Sequence, residues 1–373
     1  MKKKILFTAF NLDTGGVEKC LVNLANNLDK KKYDITIYLQ VKEGAFLNDV
    51  NSDIKVLGYD FYKIKNKLIK KICNIIKFIK ILINNYHKYD YSICYAPGYI
   101  PSSILALVSS KKNAAWMHTN LITYMQNYKP YLNKNLSIEK KCKKFINRMF
   151  FRKYKNNIFV SEDAEKAYLK IYPQDKAKTK VIYNLLDYQE IIKKSKEKID
   201  IKKSNIYTFV NIGRQTEFDK RLSRIITASY KLKQENYKFQ VLLIGSGSDT
   251  NKYKEMVKEK KLEKIVKFID NQKNPYPYFK LADTFVLSSA FEGLPTTIME
   301  SLVLNIPIIS TDVSDVRTLV DKKYGIVVNN NDADIYMAMK SQLENPISIN
   351  KVFDSEKYFY NNIKKVERLL DNE

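Results

Sequence analysis

The sequence predicts an α/β protein made of two doubly wound, Rossmann-like halves facing one another across a central cleft. Three observations predict it. Short apolar runs alternate with stretches whose apolar residues recur at helical spacing, which is the pattern of a parallel sheet with crossover helices. The alternation lapses once, over residues 187–205, and then restarts. The length of 373 residues is enough for two separate cores.

In order, Ile5 to Phe10 reads as a buried strand, Val17, Leu21, Leu24 and Leu28 as one helix face, and Asp34 to Leu39 as the next strand. Further strands are expected at Tyr91 to Tyr95, Ala114 to Met117, Asn157 to Val160 and Lys180 to Tyr183, closing a first domain over residues 1–186. Residues 187–205, with the run Ile191 to Lys198, read as a connector. The second domain, residues 206–355, carries strands at Tyr207 to Ile212, Gln240 to Ile244, Ile265 to Ile269, Thr284 to Leu287, Ile306 to Ser310 and Gly325 to Val328. In a doubly wound sheet, ligands bind at the C-terminal ends of the strands, so the loops after these runs are where chemistry is sought.

The chain carries 65 Lys plus Arg against 40 Asp plus Glu, a formal charge of +25, with 45% hydrophobic residues. That composition is globular, not disordered. The charge is uneven: +20 lies in residues 1–200, and 21 basic against four acidic residues fall within 51–155. Such a field suits an anionic surface or polymer. Cys20, Cys73, Cys94 and Cys142 form no CxxC pair, and His87 and His118 are the only histidines, so no Cys/His zinc site is expected and buried thiols are. No membrane-spanning segment or signal peptide is expected, which points to a cytoplasmic protein.

After the first strand, Asn11 to Glu18 forms a glycine turn feeding a helix, where the backbone of Gly15 and Gly16 can meet an anion. The dinucleotide fingerprint GxGxxG is absent, which disfavours a hydride-transferring dehydrogenase. Arg214 and Lys220 lie just past the strand Tyr207 to Ile212 and can clamp a diphosphate. Gly245 offers a close backbone approach at the same edge. In Ser288 to Glu300, Pro295 is expected in the first turn of a helix, with Glu292 in the loop before it and Glu300 in its second turn. Two carboxylates then flank one helix N-terminus, an arrangement that suits a nucleotide-sugar: carboxylates take sugar hydroxyls while amides and cations take the diphosphate. Asp332-Ala333-Asp334 follows the last expected strand and reads as helix capping, not as a metal motif.

Glu292, in Phe291-Glu292-Gly293-Leu294-Pro295, and Glu300, separated from it by seven residues, together with Arg214, Lys220 and Thr14-Gly15-Gly16-Val17-Glu18, resemble the family 4 retaining glycosyltransferases of the GT-B fold over nearly the whole chain. The resemblance implies that Glu292 binds donor-sugar hydroxyls, Glu300 the ribose, and Arg214 and Lys220 the diphosphate. Gly16 would meet the phosphate or sugar, and the amides of Gly293, Leu294, Pro295 and Thr296 would complete the donor site. His118, at the end of a strand, matches the family histidine that faces the sugar. The implied reaction is front-face transfer with retention from a nucleotide-diphosphate sugar, UDP-linked, needing no metal or cofactor. The segment Asp312 to Thr318 departs from the family pattern, which there carries small glycines and a glutamate. The tail, residues 356–373, is expected to form a helix crossing back to the first domain, as in that family.

Lys63 to Lys80 has apolar residues at 64, 68, 72, 75, 76 and 79, with Lys67, Lys70, Lys71 and Lys77 mostly elsewhere, which predicts a basic amphipathic helix. With a second cationic segment, Lys140 to Lys155, it points to docking on anionic lipid at the inner membrane face, where a lipid-linked or polymeric glycan acceptor would be presented. Two other readings compete. A GT-B sugar-nucleotide epimerase would want histidine and acid at both sugar faces, and two histidines argue against it. A nucleic-acid-binding protein is prompted by +25 and 27 tyrosines, but no binding module is present. No nucleic-acid partner is expected.

Overall fold

The computed structural model describes residues 1–13, 15–61, 65–95, 97–121, 152–320, 322–349 and 352–372. The chain divides into two compact units: Met1–Leu185 with Tyr360–Glu373, and Leu186–Phe359.

The first unit holds a seven-stranded sheet of β1 (Lys3–Ala9), β2 (Tyr33–Leu39), β3 (Lys55–Gly58), β4 (Tyr91–Cys94), β5 (Asn113–Met117), β6 (Asn156–Phe159) and β7 (Thr179–Val181). The spatial order is β3-β2-β1-β4-β5-β6-β7, and every pairing is parallel. β1 is central, with Ile5 opposite both Ile35 and Tyr91. Its Ile5, Leu6 and Phe7 are fully buried, because a parallel sheet is covered on both faces and its central strands are apolar throughout. Buried Thr8 meets the same demand by donating its hydroxyl to the Ser102 carbonyl at 2.9 Å. The strand β3 was missed by the sequence reading. It is a four-residue edge strand beginning with Lys55, with no fully buried residue and so no apolar run to mark it.

The second unit holds β8 (Tyr207–Ile212), β9 (Phe239–Ile244), β10 (Val266–Ile269), β11 (Thr284–Leu287), β12 (Ile308–Thr311) and β13 (Gly325–Val328). Their order is β10-β9-β8-β11-β12-β13, again all parallel. Phe209, Val241 and Leu243 pack with Ile225, Ile226, Leu232 and Tyr253, and with Ile335 and Met339 from the helix Asp332–Glu344. The segment expected as a connector is not plain loop: Asp187 caps a helix, Tyr188–Lys194, by accepting from the Glu190 amide, and Ile191 is buried.

The C-terminal helix runs Ser355–Asn372. Its residues from Tyr360 onward belong to the first unit, where Ile363, Val366, Leu369 and Leu370 are buried and Asp371 pairs with Lys3 at 2.9 Å. Among the described residues no helix is long and apolar enough to cross a membrane. The uncharged run 91–110 is divided between β4 and the helix Ile100–Ser109. Cys20 and Cys94 are buried as expected, whereas Cys73 is only half-buried; Cys142 lies outside the described residues.

Gly213 and Gly245, the first residues after β8 and β9, have φ of +152° and +126°. A Cβ on Gly245 would lie 2.1 Å from the Gly213 carbonyl oxygen, whereas one on Gly213 would meet open space. Gly213→Ala is therefore expected to cost about 1–3 kcal/mol of backbone strain alone, and Gly245→Ala clearly more, because backbone must move as well. Urea unfolding of the two variants checks the order.

Candidate functional site

In the second unit the strand order reverses between β8 and β11, the place where a doubly wound sheet opens a crevice. The two strands pair only at Thr284 with Phe209 and Phe285 with Val210. Beyond that, the Asn211 side chain donates to the Val286 carbonyl at 2.7 Å in place of the ladder. The turn after β8 and the loop after β11 then meet. The Ala290 amide donates to the Asp219 carbonyl at 2.7 Å, and the Ser288 hydroxyl lies 3.0 and 3.1 Å from the carbonyls of Lys220 and Arg221.

On that clamp sits an ion pair, Lys220 Nζ to Glu292 Oε1 at 2.6 Å, with Ser289 Oγ donating to the same oxygen at 2.7 Å. The two side chains are 23% and 13% exposed, so the pair is largely shielded from solvent screening. Arg214 pairs with Asp219 at 2.7 Å but is 67% exposed, and Asp219 also accepts from Thr216. Its guanidinium can therefore exchange that partner for an anion at little cost. Glu300 is buried, in the second turn of the helix Thr296–Val303 as expected. Pro295 is not in the first turn. It occupies the capping position with extended backbone, ψ 112°, because the helix begins only at Thr296. Leu294 buries its side chain. The Gly293 carbonyl accepts from Ser314 Oγ, whose φ of +53° is a conformation that favours glycine. Ser314 lies in the stretch that departs from the family pattern, and this hydrogen bond helps hold it there.

The sequence reading missed three residues here. Ser289 supports Glu292. Arg224, buried in the helix Ser223–Gln234, joins the Ser288 carbonyl at 3.1 Å to Asn330 and to Asp332 Oδ1 at 3.1 Å; burial draws its pKa down and Asp332 opposes the shift. Asp332 thus serves an ion pair, and Asn331 is the residue that caps the helix, accepting from the Asp334 amide at 2.8 Å. Gln215 is fully buried beside Gly247, with neither amide atom hydrogen bonded among the described residues. Arg224 carries no local signal because its partners are distant in sequence, and Gln215 none because it has no partner among the described residues; Ser289, three residues before Glu292, is the one that local spacing does mark. Among the described residues no group of three or more His, Cys, Asp or Glu side chains could hold a metal ion.

In the first unit, β1, β4 and β5 are neighbours, and Gly15, Tyr95 and His118 follow their C-terminal ends. Gly15 caps the helix Gly16–Asn27 in an extended conformation, φ −151°. The loop before it is held by Leu12, which donates to the Glu43 carbonyl at 3.0 Å and accepts from the Phe46 amide at 2.9 Å. His118 lies 4.6 Å, centroid to centroid, from Tyr95. The ring is enclosed at Nε2, which has no hydrogen-bond partner among the described residues. Burial lowers its pKa to about 3, opposed in part by a hydrogen bond to the Tyr95 backbone. It is therefore neutral at any physiological pH. Most of the cationic segment 140–155, through residue 151, lies outside the described residues, as does Thr14.

The second unit thus brings Lys220 and Glu292 together at the β8/β11 opening, and the first unit carries Gly15 and His118 on segments that follow β1 and β5. Residues 14–190 match the family described as Glycosyltransferase Family 4, and residues 191–366 match Glycosyl transferases group 1. An uncharacterized glycosyltransferase of Methanocaldococcus jannaschii is 29% identical over 66% of this chain and 60% of its own length. A Campylobacter jejuni α-1,4-N-acetyl-D-galactosaminyltransferase acting on an undecaprenol-diphosphate-linked glycan is 24% identical over 91% of this chain and 88% of its own. The crystal structure of Anabaena Alr3699/HepE with UDP and glucose superposes with a TM-score of 0.74 at 16% identity, covering 98% of this chain and 99% of that one. Two family matches that together run from residue 14 to residue 366, on two parallel doubly wound sheets, establish that the chain belongs to the family 4, group 1 glycosyltransferases and has the GT-B fold.

Proposed function

We propose that this glycosyltransferase moves a hexose or N-acetylhexosamine, with retention, from a UDP-linked donor to a hydroxyl of a cell-surface glycan precursor at the cytoplasmic face of the membrane. The observation that carries the reading is the shielded Lys220–Glu292 pair at the β8/β11 switch point, with seven residues separating Glu292 from buried Glu300. A sugar diphosphate brings both charges a better partner at once: Lys220 turns to phosphate, and Glu292 is released to accept hydrogen bonds from sugar hydroxyls. Relatives and neighbours support the donor and acceptor classes. One neighbour holds UDP-glucose, a capsular polysaccharide enzyme of Staphylococcus aureus is 26% identical over 66% of this chain, and two Campylobacter jejuni relatives are named for undecaprenol-diphosphate glycans.

In this reading the new bond from acceptor oxygen to the anomeric carbon forms on the face from which the phosphate oxygen departs, and the acceptor proton passes to that departing oxygen. Arg214, Lys220 and the N-terminus of the helix Thr296–Val303 stabilise the charge gathering on the leaving diphosphate. These positive groups take the place of a divalent cation in this reading, so no metal is required. His118 contributes as a neutral hydrogen-bonding group to the sugar and not as an acid, because its pKa lies near 3.

Thermal-shift titration with UDP, GDP, UDP-glucose, UDP-N-acetylglucosamine and NAD, with and without EDTA, tests the donor. UDP compounds at about 100 times their dissociation constant should add roughly 2.7 kcal/mol of stability, unchanged by EDTA. Stabilisation by NAD alone, or its loss with EDTA, would overturn the reading. Lys220→Ala should weaken UDP binding about 10–100-fold, the loss of a charge-assisted hydrogen bond. Glu292→Gln should leave UDP binding near wild type and lower turnover of the sugar donor, and proton NMR of the product should show the donor's anomeric configuration kept. His118 gives a pH signature. Unfolding raises its pKa from about 3 toward 6.5, so the unfolded chain takes up a proton that the folded one refuses. Stability should therefore fall as pH drops below about 6.5, by up to about 1.4 kcal/mol per pH unit from this group. A His118→Gln variant should show a shallower slope between pH 7 and 5 in urea unfolding.

A further inference from the structure

The basic amphipathic helix runs Lys67–Asn85, capped by Asn66, whose side chain accepts from the Leu68 and Ile69 amides at 3.0 and 3.2 Å. Its apolar residues do not all face the core. Phe78, Ile81 and Leu82 pack against the cluster around Tyr59 and Leu105. Leu68, Ile69, Ile72, Ile75, Ile76, Ile79 and Ile83 are exposed, Leu68 and Ile83 at 68% and 67% and the other five at 49–50%. At 100° per residue these seven lie within one stripe about 120° wide, centred opposite Ile81. The helix therefore carries two apolar faces, one packed and one bare over about 24 Å.

We propose that this outer stripe is a membrane-docking face that lies in the interface of an anionic bilayer. The charges select that occupant. The helix holds Lys67, Lys70, Lys71, Lys77 and Lys80 and no acidic residue, and residues 51–155 hold 21 basic against four acidic residues. Two copies packed stripe to stripe would bring like charges together, while a bilayer with anionic headgroups takes in the aliphatic side chains and neutralises the flanking lysines at once. Lys71 and Lys80, which flank the stripe at the same spacing, extend their stems along it and hold their ammonium groups at headgroup level, while Lys67 and Lys70 add to the field from the far side and Lys77 donates to the Asp60 carbonyl. The helix is too short of apolar residues on its other side to span: it lies in the surface and does not cross it. The inference stands on exposure and charge and is independent of the donor assignment.

The test is flotation of the full chain with phosphatidylcholine vesicles and with 7:3 phosphatidylcholine:phosphatidylglycerol vesicles, at low and high salt. Wild type should bind the anionic vesicles at least tenfold more tightly than the neutral ones, with affinity falling at high salt. A triple variant, Ile72→Asn with Ile76→Asn and Ile79→Asn, should lose at least tenfold on anionic vesicles while keeping its melting temperature and its nucleotide binding. An Ile76→Trp variant should shift its emission to the blue on anionic vesicles and be quenched by brominated acyl chains. Unaltered vesicle binding by the triple variant, or no quenching of the Ile76→Trp variant, overturns the proposal. So does a dimer in sedimentation velocity that the triple variant abolishes while vesicles bind neither protein.

Discussion

A parallel strand cannot be joined to its neighbour by a tight turn. Each must be followed by a crossover that returns over one face of the sheet. All eleven strand pairings among the described residues are parallel, so within each sheet every crossover leaves from one rim, and every strand delivers its following loop there. Gly15, Tyr95 and His118 share one rim for that reason, and Arg214, Gly245 and Glu292 another. Where the order reverses, crossovers go to opposite faces and the strand ends separate. The short β8–β11 ladder, continued by the Asn211 side chain, shows that separation at the level of single hydrogen bonds, and the two following loops close over it.

Charge is then placed where the sheet opens. Held 2.6 Å from Glu292, the largely shielded Lys220 is fixed in position by its carboxylate partner. The carboxylate is fixed by the same contact and by Ser289. The backbone clamp between residues 219–221 and 288–290 keeps the two groups within reach although they are distant in sequence. Arg214 is placed differently, exposed and paired with a neighbour five residues away, so one cation of the couple is preorganised and the other is adaptable.

Much of this was legible in the residues. Eleven of the twelve expected strands overlap observed ones by at least three residues, because fully buried parallel strands read as unbroken apolar runs, and Glu292 and Glu300 announce themselves by spacing and a following helix. What was not legible depends on contacts far along the chain or on exposure. An edge strand such as Lys55–Gly58 is half solvated and has no apolar signature. Arg224 is an ordinary arginine on an amphipathic helix until Ser288, Asn330 and Asp332 surround it. Pro295 satisfies the sequence rule for a helix start at either the capping or the first position, and only backbone dihedrals distinguish the two.

The helix Lys67–Asn85 shows the same limit from the other side. Periodicity reports that a helix has an apolar stripe, and it says nothing of what the stripe touches. Here the residues that meet the core are Phe78, Ile81, Leu82 and Asn85, one of them polar, while the larger aliphatic set faces outward. A helix selected only to cover its own sheet would gain by exchanging the outer isoleucines for charged residues, since large contiguous apolar patches on a protein's exterior favour association. Seven aliphatic side chains about half exposed or more on one line, bordered by lysine and by no acid, are instead the composition of a helix that meets a second medium. The sheet behind it holds the helix by its C-terminal half, where Ile81 and Asn85 are buried, and leaves the lysine-rich N-terminal turns free to approach that medium.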